Sequence, residues 1–420
     1  MSRLKMAFWA LAALGGLYAL FMGALISPPF QRFALYANSF QSWWDDLGDG
    51  EAFGFLRNQV RPFNISTPDG QTLYAWHILP LSIYDEHEAE LIDEFWKESN
   101  QSIPYKESMA FKILTEDPQS QVVVSFHGNA GHLANGHRKN NYRSISSGSQ
   151  AHIITFDYRG FGRSTGTPTE SGLIMDGIAA VDFVLNDINI PSRRITILAQ
   201  SLGTAISSAT TLHFVDKEAA DELMPVLDSD ALNTLQKNQD SIDFKAFIVV
   251  APFSSIPVLM KTYRILGIIP ILSPLRFYPF LEEFLVGRIA DTWNTQARIF
   301  ALLKAYSRME GDRRLHLHFL HALNDFDIPC SHSEELMYTA MNASMPDNLH
   351  GGVLPRPAFD ELKDKNITRR SGGRMQYPLG GADGEGKGEV LLDIVRFGGH
   401  NRIGALQPVT LAVKRALAQA

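Results

Sequence analysis

A serine flanked by small residues is the first place in this chain where chemistry can be located. Ala199-Gln200-Ser201-Leu202-Gly203 follows the apolar run Ile195–Leu198 and precedes Thr204-Ala205-Ile206-Ser207-Ser208-Ala209. A serine at a tight strand-to-helix turn is a nucleophile elbow, with its hydroxyl exposed at the helix start. The turn leaves no room for bulk two residues after the serine, and Gly203 meets that need. Ala199 stands where glycine is commoner, one methyl larger. The free N–H groups of the helix start can stabilise developing negative charge. His127-Gly128-Asn129-Ala130-Gly131 follows a second apolar run, Val122–Phe126. Such a loop can turn a backbone N–H toward a carbonyl oxygen, alongside the N–H of Leu202. Each donor of this kind is worth about 10²–10³ in rate. His127, His132 and His137 recur every five residues without an acidic ligand, so no metal is expected. No Gly-Lys-Ser/Thr follows, which argues against a phosphate loop.

A nucleophilic serine needs a base, and the base needs an orienting carboxylate. Two loops later in the chain offer them. Leu315–Leu320 runs into His321-Ala322-Leu323-Asn324-Asp325-Phe326-Asp327-Ile328-Pro329, where Asp325 and Asp327 are both candidates. Val390–Arg396 runs into Phe397-Gly398-Gly399-His400. The order serine, aspartate, histidine is that of a hydrolase built on a parallel sheet. Asp157-Tyr158-Arg159-Gly160-Phe161-Gly162-Arg163-Ser164 lacks the spacing of a dinucleotide turn. It reads as a structural loop fixed by Asp157 and Arg159.

Elements must bring these distant residues to one place. Strands are expected near Val60–Ser66, Thr72–Leu79, Val122–Phe126, His152–Phe156, Ile195–Leu198, Phe247–Val250, Leu315–Leu320 and Val390–Arg396. The later ones are short, nearly all apolar and separated by helix-length segments. That pattern predicts a mostly parallel eight-stranded sheet with helices on both faces. The first two runs predict an antiparallel pair. Acidic segments over 85–102 and 216–243, an apolar and aromatic insertion over 256–293, and a Gly/Pro-rich stretch over 346–388 interrupt the series. The last, with its SGGRMQYPLGGADGEGKG, is expected to be a flexible loop.

Before the globular part, Met6–Ile26 carries no charge for 21 residues. That suffices to cross a bilayer core of about 30 Å, so residues 1–30 are expected to be a membrane anchor and 31–420 one domain. Arg3 and Lys5 precede the span, which predicts a cytosolic N-terminus and a single pass. Sequons at Asn64, Asn100, Asn342 and Asn366 would suit a lumenal glycoprotein. The 420 residues carry a net charge of −7, which disfavours nucleic acid as a partner. A single cysteine, Cys330, excludes an internal disulfide and a cysteine-based zinc cage.

FHGNAG, TFDYRGFGRSTGTPTESGL, AQSLGT, HALNDFDIP and FGGH together resemble an α/β-hydrolase, above all the membrane-anchored abhydrolase-domain-12 type of serine lipase. The resemblance runs from about Gln121 to the C-terminus. It implies Ser201 as nucleophile, His400 as base, and Asn129 and Leu202 as the oxyanion N–H donors. Asp325 matches the Asp-x-x-Ile/Val-Pro pattern and is implied over Asp327. It also implies lysophospholipase or monoacylglycerol lipase chemistry in the endoplasmic reticulum lumen, with no cofactor and no metal. Relatives with this signature include protein depalmitoylases and peptidase-like enzymes. A membrane-tethered pseudoenzyme that binds lipid or a partner is a further alternative. The insertion at 256–293 sits where such folds place a cap. There Phe277 and Phe280, with Lys261, Arg264 and Arg276, are expected to form an acyl-chain funnel against the membrane.

Overall fold

Side chains alternate between two faces along every central strand, and this sets the architecture of the computed structural model. It describes residues 2–42, 44–98, 102–225, 227, 229–232, 242–265, 269–270, 272, 275, 277–309, 314–345, 353–380 and 386–418. Ten strands form one sheet: β1 Val60–Ser66, β2 Thr72–Ile78, β3 Val122–Phe126, β4 His152–Phe156, β5 Ile195–Gln200, β6 Ala246–Val250, β7 Leu315–Ala322, β8 Ile367–Thr368, β9 Gly372–Gly380 and β10 Gly386–Val395. Their spatial order is β1-β2-β4-β3-β5-β6-β7-β10-β9-β8. The six from β4 to β10 in that order run parallel. The β1–β2 hairpin and the β9–β8 end are antiparallel.

Because successive residues face opposite sides, Val122 and Val124 join one core while Val123 joins another. The same split separates Phe247 and Val249 from Ile248 and Val250. Helices Glu170–Asp182, Leu202–Val215, Thr295–Arg308 and Ser331–Ala343 contribute to the first core. Helices Arg138–Gly148 and Gln407–Ala418 contribute to the second. Both faces are thus covered, which is why the central strands read as continuous apolar runs.

The expectation of eight strands and a flexible loop over 346–388 is corrected here. Helix Arg356–Asn366, β8, β9 and the start of β10 occupy much of that stretch; residues 346–352 and 381–385 lie outside the described residues. Two glycines that suggested mobility instead allow backbones to approach. A Cβ on Gly372 would sit 1.9 Å from the Ile394 carbonyl oxygen, and one on Gly373 1.9 Å from that of Asn366. Met375 and Leu379 point into the core in strand alternation. Pro378 is tolerated because β8 pairs only with residues 372–373, leaving the rest of β9 an edge.

At the N-terminus, helix α1 spans Arg3–Ala24 and helix α2 spans Pro28–Tyr36. Its 22 residues give α1 a length of about 33 Å at 1.5 Å per residue. Among the described residues it is the one helix long and apolar enough to cross a membrane. It projects from the body: Leu4 is 84% and Leu20 74% exposed, Tyr18 and Phe21 are partly buried, and Met22 is the one buried residue of the helix.

Candidate functional site

The turn after β5 is built for a serine. Ser201 sits at φ 53°, ψ −123°, a conformation side chains rarely adopt, and its N–H donates to the Val250 carbonyl at 3.0 Å. It caps helix Leu202–Val215. A Cβ on Gly203 would lie 2.4 Å from the Phe126 oxygen and 2.7 Å from that of His127, so no larger residue fits. Ala199 is buried between Phe126 and Val249, where its methyl packs in the core.

The structure brings three of the anticipated side chains together at the carboxyl ends of β5, β7 and β10. His400 Nε2 lies 2.8 Å from Ser201 Oγ, and His400 Nδ1 lies 2.8 Å from Asp325 Oδ2. Asp325 is buried and also accepts the N–H groups of Asp327 at 3.0 Å and Ile328 at 2.9 Å. Burial alone would raise its pKa, but hydrogen bonds from His321 and His400 hold it well below the usual carboxylate range. Burial alone would lower the His400 pKa, yet the Asp325 hydrogen bond and the charges of Asp325 and Asp327 carry it above the usual value. Asp327 makes no hydrogen bond to the imidazole. It lines the adjoining cavity with its pKa raised by burial. The arrangement can pass a proton from hydroxyl to imidazole and stabilise the imidazolium that results.

Asn129 and Leu202 flank Ser201 on the same cavity. Neither backbone N–H donates to another protein group among the described residues. The Asn129 loop is held from three sides. Arg138 donates to the Gly128 carbonyl at 2.9 Å and to that of Asn129. Ala130 N–H donates to the Tyr36 carbonyl at 2.8 Å, and Asn129 Nδ2 to that of Leu35 at 3.2 Å. The segment 157–164 is structural as read: Asp157 accepts the Leu133 N–H at 2.5 Å, and Arg159 pairs with Asp176 at 2.8 Å and Asp69 at 2.7 Å.

Several positioning groups escape sequence reasoning. His321 Nε2 lies 3.3 Å from Asp325 Oδ2, a second imidazole on that carboxylate. Asn324 Oδ1 accepts the Gly399 N–H at 2.9 Å, and Gln200 Nε2 donates to the His400 carbonyl at 2.9 Å. Their only signal is adjacency, since each neighbours a motif residue in the chain. Cys330 is half-buried and its thiol is pushed up to about 11 by burial, so it stays protonated at neutral pH.

A cavity of about 760 Å³ opens beside Ser201. Its lining combines polar and charged residues, among them Arg32, His137, Gln200, Asp291 and Asn401, with apolar ones, among them Phe253, Ile256, Leu259 and Leu285. Phe277 and Phe280 do not line it and are corrected as funnel residues: they are 72% and 67% exposed. Helix Pro279–Val286 turns Leu285 and Val286 inward, which leaves Phe280 and Phe284, one turn apart, on its outer face. Of the anticipated basic residues, Lys261 pairs with Glu282 at 3.3 Å. Arg276 and the side chain of Arg264 lie outside the described residues. Among the sequons, Asn342 is tied into the fold by bonds to Tyr338 and Leu354, and Asn100 lies outside the described residues.

Residues 121–223 match the model of the alpha/beta hydrolase fold family. The lysophosphatidylserine lipase ABHD12 of Danio rerio is 27% identical over 160 residues, 38% of this chain and 37% of that protein. Protein bem46 of Schizosaccharomyces pombe is 33% identical over 109 residues, 26% of this chain and 36% of that protein. The matched part thus spans just over a third of the length of these curated relatives. Among solved structures, the Pyrococcus furiosus esterase Pf2001 superposes with a TM-score of 0.45 at 12% identity, over 89% of this chain and 93% of that one.

Proposed function

We propose that this chain is an α/β-hydrolase of the ABHD12 type, a membrane-anchored serine hydrolase cleaving carboxylic esters of lipids, a lysophospholipid or a monoacylglycerol. Ser201 attacks the ester carbonyl as His400 takes its proton. The N–H groups of Asn129 and Leu202 receive the oxyanion. Asp325 orients His400 and stabilises its cation. The leaving alcohol takes the proton from His400, and water then cleaves the acyl-enzyme by the reverse sequence. The observation that carries this reading is the unbroken chain Ser201–His400–Asp325, each link 2.8 Å, with Ser201 and His400 lining a cavity that also holds many apolar residues.

The lipid substrate rests on those apolar lining residues and on α1. The same helix, with Arg3 and Lys5 before it, favours a cytosolic N-terminus and a catalytic domain across the membrane. The endoplasmic reticulum is the membrane the resemblance implies. The decisive experiment is labelling with a fluorophosphonate probe together with turnover of a lysophospholipid. Wild type should label and turn over, and Ser201→Ala should lose labelling and about 10⁶ in kcat. Equal labelling of the two proteins would remove Ser201 from the mechanism.

A further inference from the structure

Two residues belong at once to the spanning helix and to the cavity. Phe21 and Leu25, at the last turn and C-cap of α1, line the same cavity as Ser201. Leu285, Val286 and Ile289, from the end of the cap, line it too. Large apolar side chains also stand on the outer side of the helices that bound this opening, beside exposed Glu283. Helix Pro279–Val286 shows Phe280 and Phe284 outward, and α2 shows Phe33. A helix apolar on both sides needs an apolar medium on both. The inner medium is the cavity; the outer one lies where α1 leaves the body.

We infer that the opening between Phe21–Leu25 and Leu285–Ile289 is a lateral port, through which the acyl chain of a bilayer-resident ester passes directly from the membrane to Ser201. This inference rests on the lipid-esterase reading and deepens it by assigning the route and the physical state of the substrate. The port is held in a fixed frame. Gln31 Nε2 donates to the Arg288 carbonyl at 2.8 Å, and its Oε1 accepts the Ala290 N–H at 2.8 Å. Arg32 makes two bonds to Asp291, at 3.0 and 3.1 Å, and Tyr36 Oη donates to the same carboxylate at 2.7 Å. Helix α2 and the end of the cap are therefore clamped together, and Gln31 Nε2 also donates to the Leu25 carbonyl, at the end of α1, at 2.6 Å. Gln31, Arg32 and Asp291 line the same cavity, so a chain entering here passes apolar groups beside a fixed polar frame.

The test uses the full-length protein in phosphatidylcholine vesicles. Two esters are compared: a long-chain lysophospholipid within the vesicle, and water-soluble p-nitrophenyl acetate. Leu25→Trp and Ile289→Trp narrow the port from opposite sides. In each, the ratio of vesicle-ester to acetate turnover should fall about tenfold or more, the scale of steric discrimination in an apolar pocket. A ratio within twofold of wild type in both variants overturns the port while leaving the esterase reading standing. Wild type that labels with fluorophosphonate and cleaves acetate, yet never the vesicle ester, overturns the lipid reading and the port together. A second measurement does not depend on turnover. A nitroxide at Phe284→Cys, in a Cys330→Ser background, should be more accessible to oxygen than to a water-soluble nickel chelate. The reverse order would put that face in water and remove the port.

Discussion

At Ser201 two demands conflict. The hydroxyl must stand clear of the backbone, and the φ of 53° that achieves this suits glycine better than serine. Such strain costs about 1–3 kcal/mol. Ser201→Gly should relieve it, less about 0.5–1 kcal/mol of extra chain entropy. Measured by urea denaturation in detergent, Ser201→Gly is thus expected to be more stable than Ser201→Ala, with both inactive. A lower midpoint for the glycine variant would show that the turn is unstrained. At His400 the sign of the pH effect follows from its task. Only the neutral imidazole accepts the serine proton, and its pKa lies above the usual 6.5. Activity should therefore fall as pH drops through a limb above 6.5. Asp327→Asn removes one of the negative charges that raise this pKa, so the limb of kcat/KM should move to lower pH with the plateau largely kept. Asp325→Asn should instead lose about 10⁴ in kcat. The opposite pattern would transfer the orienting role to Asp327.

Elements decide what reading the chain could and could not reveal. Strands β3 to β7 were legible because each is a buried apolar run of strand length, and the site motifs follow their carboxyl ends. β9 was not, because Gly372 and Gly373 look like loop residues until close backbone approach supplies another reason for them. Phe277 and Phe280 line no funnel for a related reason: composition marks a segment as apolar but not which of its side chains turn inward, and Phe280 falls on the outer face of its helix. Asn324 and Gln200 had no signal of their own, since their partners lie 75 and 200 residues away. These two bonds pin the turn that carries His400 against β7 and β5. Loss of the Asn324 bond should let the imidazole drift, and misplacement of about 1 Å costs about 10²-fold. Asn324→Ala is expected to lower kcat by about 10- to 100-fold with KM little changed, and Asn324→Asp, which keeps an acceptor, to recover most of it. A change confined to KM would mean that Asn324 touches substrate rather than the turn.

For the molecule as a whole, the N-terminal helices are packed into the body that carries Ser201, besides their proposed role as its tether. Asp291 joins them to it, accepting from Arg32 and Tyr36 with its own side chain almost wholly buried. Two residues nearby, Leu35 and Tyr36, then hold the loop of Asn129. One carboxylate thus connects residues 255 and 259 positions away to the N–H proposed to receive the oxyanion. Hydrogen bonds to a charged group are worth about 1.5–3 kcal/mol each, so losing this one opens the junction without unfolding two cores remote from it. In Asp291→Ala, limited proteolysis should cut within residues 26–42 at least about tenfold faster than in wild type, while the sheet stays resistant. Fluorophosphonate labelling of Ser201 should slow in the same variant, because the loop loses its support and not its residues. If cleavage quickens and labelling does not, the Asn129 loop keeps its shape without the N-terminal helices. The anchor would then serve for attachment alone.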